Sequence, residues 1–171
     1  MLSNILVTLI KKAFILGTSI GIIKTSKKQL IGLSFFLKNH SLSNQTQLVD
    51  IAVEDTPKHK NRFRINYIFS SILYSHKILL TITAHELHYL PSLSSIFFSA
   101  GWLEREVWDL FGLYFFGNFD LRRILTDYGF LGHPLRKDFP LSGFSEIYYA
   151  LDRGGIVNVP IELMQAYRIF I

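Results

Sequence analysis

Cysteine is absent from the 171-residue chain. No disulfide, thiol nucleophile or cysteine-held iron–sulfur or zinc site can therefore be built from it. Charge is also scarce: charged residues make up 18% and hydrophobic ones 49%, against a usual charged share of about 25%. Mean hydropathy is +0.27. Yet no run reaches the ~18 apolar residues of a membrane span, because Lys11-Lys12, Arg64, Asn66 and His76-Lys77 interrupt the candidates. A domain this poor in charge is expected to hide part of its exterior against partners.

Arginine is missing before Arg62, and Met1 to Ala13 carries no basic stretch ahead of its apolar residues. The N-terminus thus reads as neither a secretory signal nor a transit peptide. The net charge of +5 is a mild bias with no long Lys/Arg run, a weak nucleic-acid signal. Neither a phosphate-binding glycine loop nor an RNA-recognition string of alternating aromatic and basic residues is present.

Leu2, Ile5, Leu6, Leu9 and Ile10 recur at helical spacing. Ala13 to Leu16 and Ile20 to Lys24 read as strands around Gly17-Thr18-Ser19. Ser26 and Gln29 have capping-box spacing, opening a helix to about Lys38 with Leu30, Leu33, Ser34 and Leu37 on one face. Three alternating segments follow: Gln47–Glu54, Arg62–Phe69 and Lys77–Thr83. In the first, Val49, Ile51 and Val53 are expected to share a face. A short helix is expected over Ser92–Ser99 and a second from Trp102, with Leu103, Val107, Leu110 and Phe111 as its stripe. Gly112 is placed to close the second helix. The expected fold is α+β: a mostly antiparallel sheet with helices packed on it, plus a long irregular C-terminal arm.

From Gly112 onward periodicity stops. This last third holds seven of the eleven glycines, three of the five prolines and twelve of the 25 aromatic residues. Disordered tails bury nothing and are poor in aromatics, so this arm is expected to be ordered on another protein. The domain reading is 1–100 for the α+β domain and 101–171 for the signature helix and arm.

Candidate chemistry is thin. His85-Glu86-Leu87-His88 has its histidines three apart, whereas the zinc-protease pattern needs four; surface or capping histidines are the expectation. Glu104 and Glu106, two apart on a helix, do not face one another. Arg105 and Asp109 are spaced to pair, and Arg122, Arg123 and Arg136 could meet the helix carboxylates. Gly129 to Leu141 reads as a rigid turn whose charges dock onto a partner, with His133 beside Arg136, Lys137 and Asp138 as a possible proton-handling group.

Three strings then carry a resemblance: Glu104 to Gly112 (EREVWDLFG), Asp120 to Phe130 (DLRRILTDYGF) and Gly132 to Leu141 (GHPLRKDFPL). With Leu48 to Ile51, Asp55-Thr56-Pro57, Asn61-Arg62-Phe63 and the C-terminal Asn158 to Glu162 with Phe170, they resemble the 30-kilodalton subunits of respiratory complex I. The chain departs from that pattern at Asn118-Phe119, where the family usually has His-Pro, and it ends soon after Phe170.

The resemblance implies a core subunit of the peripheral arm's quinone-reducing module, within a proton-translocating NADH:ubiquinone oxidoreductase. It implies no catalytic, cofactor-binding or metal-binding residue on this chain. FMN, iron–sulfur clusters and ubiquinone would belong to neighbouring subunits. The implied partners are the large quinone-site subunit of 49-kilodalton type and other peripheral-arm subunits, with no nucleic acid. Membrane association would come only through the complex, at the matrix side of the mitochondrial inner membrane. Interface or structural roles are implied for Trp102, Glu104, Arg105, Glu106, Asp109, Phe111, Gly112, Arg122, Arg123, Asp127, His133, Pro134, Arg136, Lys137 and Asp138. A basic RNA-binding or ribosome-associated protein is the alternative. A metalloenzyme using His85 and His88, and the related subunit of membrane-bound hydrogenases, stand further off.

Overall fold

Alternation builds the sheet. Phe63, Ile65, Tyr67 and Phe69 are each fully buried, while Arg64 between them is exposed. These four define β3 (Phe63–Ser70), the spine of the fold in a computed structural model that describes residues 20–162 and Arg168. Burying one such side chain stabilises by about 1.5–3 kcal/mol. Around β3 lie β1 (Ile20–Lys24), β2 (Gln47–Asp55) and β4 (Lys77–Ala84), in the order β1-β4-β3-β2. The β2–β3 and β3–β4 pairs are antiparallel, and β1 runs parallel to β4 from Ile20↔Lys77 to Lys24↔Thr81.

The expected alternation fails in one place. Leu48 pairs with Phe69 but Asp50 pairs with Ile68, so Val49 is an extra residue bulged out of β2. The bulge flips the face: Leu48 and Ile51 are buried, and Val49 is half exposed. Val49 and Ile51 therefore do not share the core face.

The helix after β1 starts as a 3-10 turn (Lys27–Gln29) and continues as α1 (Leu30–Asn39), burying Leu30, Leu33, Ser34 and Leu37 on the sheet. Its capping box does not form. Ser26 caps nothing with its side chain, and its hydroxyl instead contacts Gln29 Oε1 at 3.4 Å. Ser92–Ser99 is not a helix but a chain of turns, with Ile96 and Phe97 both donating to the Leu93 carbonyl. Serine-rich segments lose little by bonding their own turns, and here Ser92 and Ser94 bond each other at 2.8 Å.

Helix α2 (Ala100–Phe111) begins two residues before Trp102 and ends at Gly112, whose φ of +74° favours a residue without Cβ. Two-residue strands β5 (Leu90–Pro91) and β6 (Phe115–Phe116) pair in parallel beside it. The remaining arm is irregular apart from a hairpin, β7 (Ser145–Ala150) with β8 (Gly155–Pro160), which the sequence reading missed. The predicted N-terminal helix (2–10), the strand at 13–16 and Phe170 lie outside the described residues.

Candidate functional site: the charged face of the signature helix

The most buried polar residues of α2 are three charged ones. Glu104 and Asp109 are 0% exposed and Arg105 is 7% exposed. Ala100 and Val107 turn toward the sheet core, while Leu103 and Phe111 are only partly buried. The helix is thus covered on more than one side, and returning chain must satisfy its carboxylates.

Asp109 is met from the arm. Its Oδ1 accepts from Arg123 Nη1 at 2.8 Å and from the Thr126 hydroxyl at 2.6 Å. Its Oδ2 accepts from the amides of Ile124, Leu125 and Thr126 at 3.1, 2.7 and 2.9 Å. Burial pushes this carboxyl up, but Thr126's hydroxyl and amide, the Leu125 amide and Arg123 outweigh it and hold the group well below the usual carboxylate range. One side chain thereby fixes the path of residues 123–126. Arg123 was among the arginines expected to meet a helix carboxylate.

Glu104 is solved differently. Its partners are the Ser92 hydroxyl at 2.6 Å, the Leu93 amide at 2.7 Å and the Asn118 side-chain amide at 2.9 Å. None is charged, contrary to the expectation of an arginine. Burial therefore dominates and pushes the Glu104 carboxyl above its ordinary value, with the three donors opposing only in part. Burial first, and Glu104 second, also push the Tyr67 phenol up; its hydroxyl has no hydrogen-bond partner among the described residues. Asn118, the residue that departs from the family pattern, is one of Glu104's three donors.

Arg105 does not pair with Asp109. Its Nε reaches the Arg122 carbonyl at 3.4 Å, and its Nη1 lies 3.9 Å from Asp120. Arg122 is mostly exposed and pairs with Asp120 at 3.1 Å rather than with α2. Trp102, Glu106 and Asp127 are exposed, and the Asp127 carboxylate accepts from the Tyr128 amide at 2.7 Å.

The 129–141 turn is bonded to the end of α2. Leu135 donates its amide to the Leu110 carbonyl, and Arg136 Nε donates to the Phe111 carbonyl at 2.6 Å, so orphan carbonyls at the end of α2 are satisfied. His133 Nδ1 lies 2.9 Å from the Asp109 carbonyl, and its ring sits near Trp108. Burial, then Arg136 and Arg123, lower its pKa against that hydrogen bond. Pro134 is half-buried beside it.

Asp55, at the end of β2, accepts two bonds from Arg62 (2.7 and 2.8 Å) and one from the Lys137 amide (2.8 Å). Arg62 also reaches Glu86 at 3.4 Å and Asp138 at 3.0 Å, and Glu86 pairs with Arg136. Arg136 and Asp138, expected to dock onto a partner, are held by the chain's own Glu86 and Arg62. The Arg62 guanidinium stands about 5.2 Å from the Phe63 ring.

Sequence reasoning missed Asp55, Arg62, Glu86, Ser92 and Thr126 as members of this constellation. Asp55 and Arg62 sat in strings already singled out, but Lys137, whose amide bonds Asp55, is 82 residues further along the chain. His85 is half-buried and accepts the Leu87 amide through Nδ1 at 3.3 Å. No trio of potential metal ligands occurs among the described residues. No helix among them is long and apolar enough to cross a membrane.

Chemically, the constellation ties things down. Two buried carboxylates and one half-buried arginine network fasten the arm across α2 and onto the β2–β3 turn. Among what the arm presents outward are large apolar side chains: Tyr128, Leu131, Leu141 and Leu151 are each more than four-fifths exposed.

Comparison with known proteins agrees with these strings. The family model described as the respiratory-chain NADH dehydrogenase 30-kilodalton subunit matches residues 23–145. NADH-ubiquinone oxidoreductase subunit 9 of Acanthamoeba castellanii is 49% identical over 138 residues, 81% of this chain and 70% of that protein. NADH dehydrogenase [ubiquinone] iron-sulfur protein 3 of Beta trigyna is 48% identical over 146 residues, 85% of this chain and 76% of that protein. Among solved structures, the trypsin-resistant fragment of Nqo5 is similar with a TM-score of 0.53 at 23% identity, covering 61% of this chain and 85% of the fragment. A chain of the membrane-bound sulfane sulfur reductase, an archaeal respiratory membrane complex, is similar with a TM-score of 0.64 at 21% identity, covering 81% of this chain and 85% of that one. Both structures share the α+β fold.

Proposed function

We propose a role from the premise that this chain belongs to the 30-kilodalton subunit family of respiratory-chain NADH dehydrogenases. It is a subunit of NADH:ubiquinone oxidoreductase and belongs to the peripheral arm of that complex. The RNA-binding alternative finds no support among its relatives. Within the complex it serves assembly: it shapes a surface on which cofactor-bearing neighbours sit, and holds no cofactor of its own. Its principal neighbour is the large quinone-site subunit of 49-kilodalton type. Its place is the matrix face of the mitochondrial inner membrane, reached through the complex. Residues 1–100 act as the sheet domain and 101–171 as the partner-facing arm.

One observation supports this reading most directly. The arm turns Arg123 and Arg136 inward, onto Asp109 and Glu86, and the Lys137 amide onto Asp55, while Tyr128, Leu131, Leu141 and Leu151 stand in solvent. A chain living alone in water would gain from the opposite arrangement. The test is native-gel separation of mildly solubilised membranes, probed for this chain and stained for NADH oxidation. Co-migration with a large NADH-oxidising band is expected. Migration alone near its own mass, or with ribosomal RNA, would overturn the reading.

A further inference from the structure

Arg105 is the buried charge of α2 with the fewest hydrogen bonds among the described residues. Its side chain is 9% exposed. A guanidinium carries five N–H donors. Among the described residues only Nε has an acceptor within 3.5 Å, the Arg122 carbonyl at 3.4 Å. The nearest carboxylate, Asp120, stands 3.9 Å away and is already engaged by Arg122 at 3.1 Å. Asp109 and Glu104, by contrast, each collect three or more bonds shorter than 3 Å.

The guanidinium lies at an open cavity of about 180 Å³, large enough for one side chain. Phe98, Trp102 and Phe119 wall it and are 82, 60 and 75% exposed. Trp102 stacks on the guanidinium at 4.7 Å, and Phe119 closes over Gly101, where a Cβ would touch its ring at 3.4 Å. Arg122 stands at the rim as a second cation, so Arg105, Arg122 and Asp120 leave the cavity one positive charge in excess.

The geometry points to a socket for an acidic side chain of a neighbouring subunit. Aromatic walls suit the aliphatic stem of a glutamate or aspartate. A guanidinium at the base suits its carboxylate, whose two oxygens take parallel N–H bonds. Arginine among aromatic residues is also the composition of sites that dominate binding at interfaces. The inference rests on the assembly reading above and adds to it the anchoring chemistry.

Two variants test it in the assembled complex. The first carries the photo-crosslinker p-benzoylphenylalanine at the exposed position 98. The second is Arg105→Lys, which offers an amine that carbodiimide can couple to a carboxylate in direct contact. Irradiation of the first is expected to give an adduct with another subunit, on a peptide bearing Asp or Glu at or next to the linked residue. Carbodiimide on the second is expected to link that same acidic residue.

A chain that co-migrates with the NADH-oxidising band yet forms no inter-subunit adduct overturns the socket and leaves the assembly reading standing. So does an adduct on a peptide without a carboxylate, or a carbodiimide link to Asp120 alone. If Arg105→Lys does not assemble, the photo-adduct, made with native Arg105, decides. A chain absent from that band overturns the assembly reading first, and the socket with it.

Discussion

Thr126 gives Asp109 both of its donors, the hydroxyl at 2.6 Å and the amide at 2.9 Å, across seventeen residues of chain. The carboxylate acts as a staple for the arm's backbone: amides 124–126 converge on one oxygen while Arg123 takes the other. Asparagine has the same shape but only one acceptor oxygen, and its NH2 would face amide donors. Asp109→Asn is therefore expected to cost about 3–5 kcal/mol. Limited proteolysis should then cut within residues 120–130 much faster; an unchanged cleavage rate would refute the staple.

Asp109 and Glu104 are expected to respond to pH in opposite senses. Asp109's carboxyl is held low, so its stabilisation is complete above the unfolded value near ~3.9 and is lost as pH falls through the folded value. Glu104's is held high, so stability is greatest below the unfolded value near ~4.3 and declines as pH rises through the folded value. Glu104→Gln should flatten the change in urea midpoint between about pH 4.5 and 7 while leaving the acid limb below about pH 4 intact. A wild-type slope in both windows would contradict this assignment.

Asn118 decides that Glu104 has a neutral shell. Asn118→Asp would set a second carboxylate at hydrogen-bond distance from the first, where two like charges cannot both ionise cheaply. Its thermal midpoint should lie well below the parent's at pH 7.5 and recover most of the gap at pH 5. Equal deficits at both pH values would count against it.

Arg62 should tolerate no shorter cation. It grips Asp55 with two bonds and also reaches Asp138 and Glu86. A lysine is a point charge without the fork. Arg62→Lys and Arg62→Ala are thus expected to lower stability by comparable amounts, about 2–4 kcal/mol, read from denaturant midpoints. Full rescue by lysine would show that charge alone suffices.

Gly112 is confined twice over, by φ of +74° and by space: an added Cβ would lie 2.5 Å from Arg136 Nη2 and from His133 Nε2. Gly112→Ala should loosen the 133–136 turn and destabilise by more than about 1 kcal/mol. Hydrogen exchange at the Leu135 amide, which bonds the Leu110 carbonyl, would report it directly.

The legibility of these features follows their range. β3 could be read residue by residue because every second side chain is wholly buried. β2 could be located but not oriented, since nothing in Leu48-Val49-Asp50 marks Val49 as the bulged residue. The β7–β8 hairpin escaped because Ile147, Tyr148 and Tyr149 are all exposed, so alternation carried no inside–outside signal. Of the helix carboxylates expected to be met by arginines, Asp109 is met by Arg123, whereas Glu104 is met by neutral groups and Glu106 is exposed. Which groups would meet Glu104 depended on Ser92 and Asn118, whose approach is set by the β5–β6 pairing and not by local sequence. The same holds for Asp55 and Lys137.

The parallel pairing of β1 with β4 sets an order in time. Among the described residues β1 pairs with β4 alone, so Ile20 has no partner in this sheet until Lys77 has been made. The β2–β3–β4 meander closes through short connections and needs nothing upstream, whereas docking β1 closes a long loop and is correspondingly slow. Until then one edge of β4 is open to any other extended chain. A nascent subunit of this kind is vulnerable to mispairing along β1 and the open edge of β4, and a chaperone guarding residues 20–24 would protect it there.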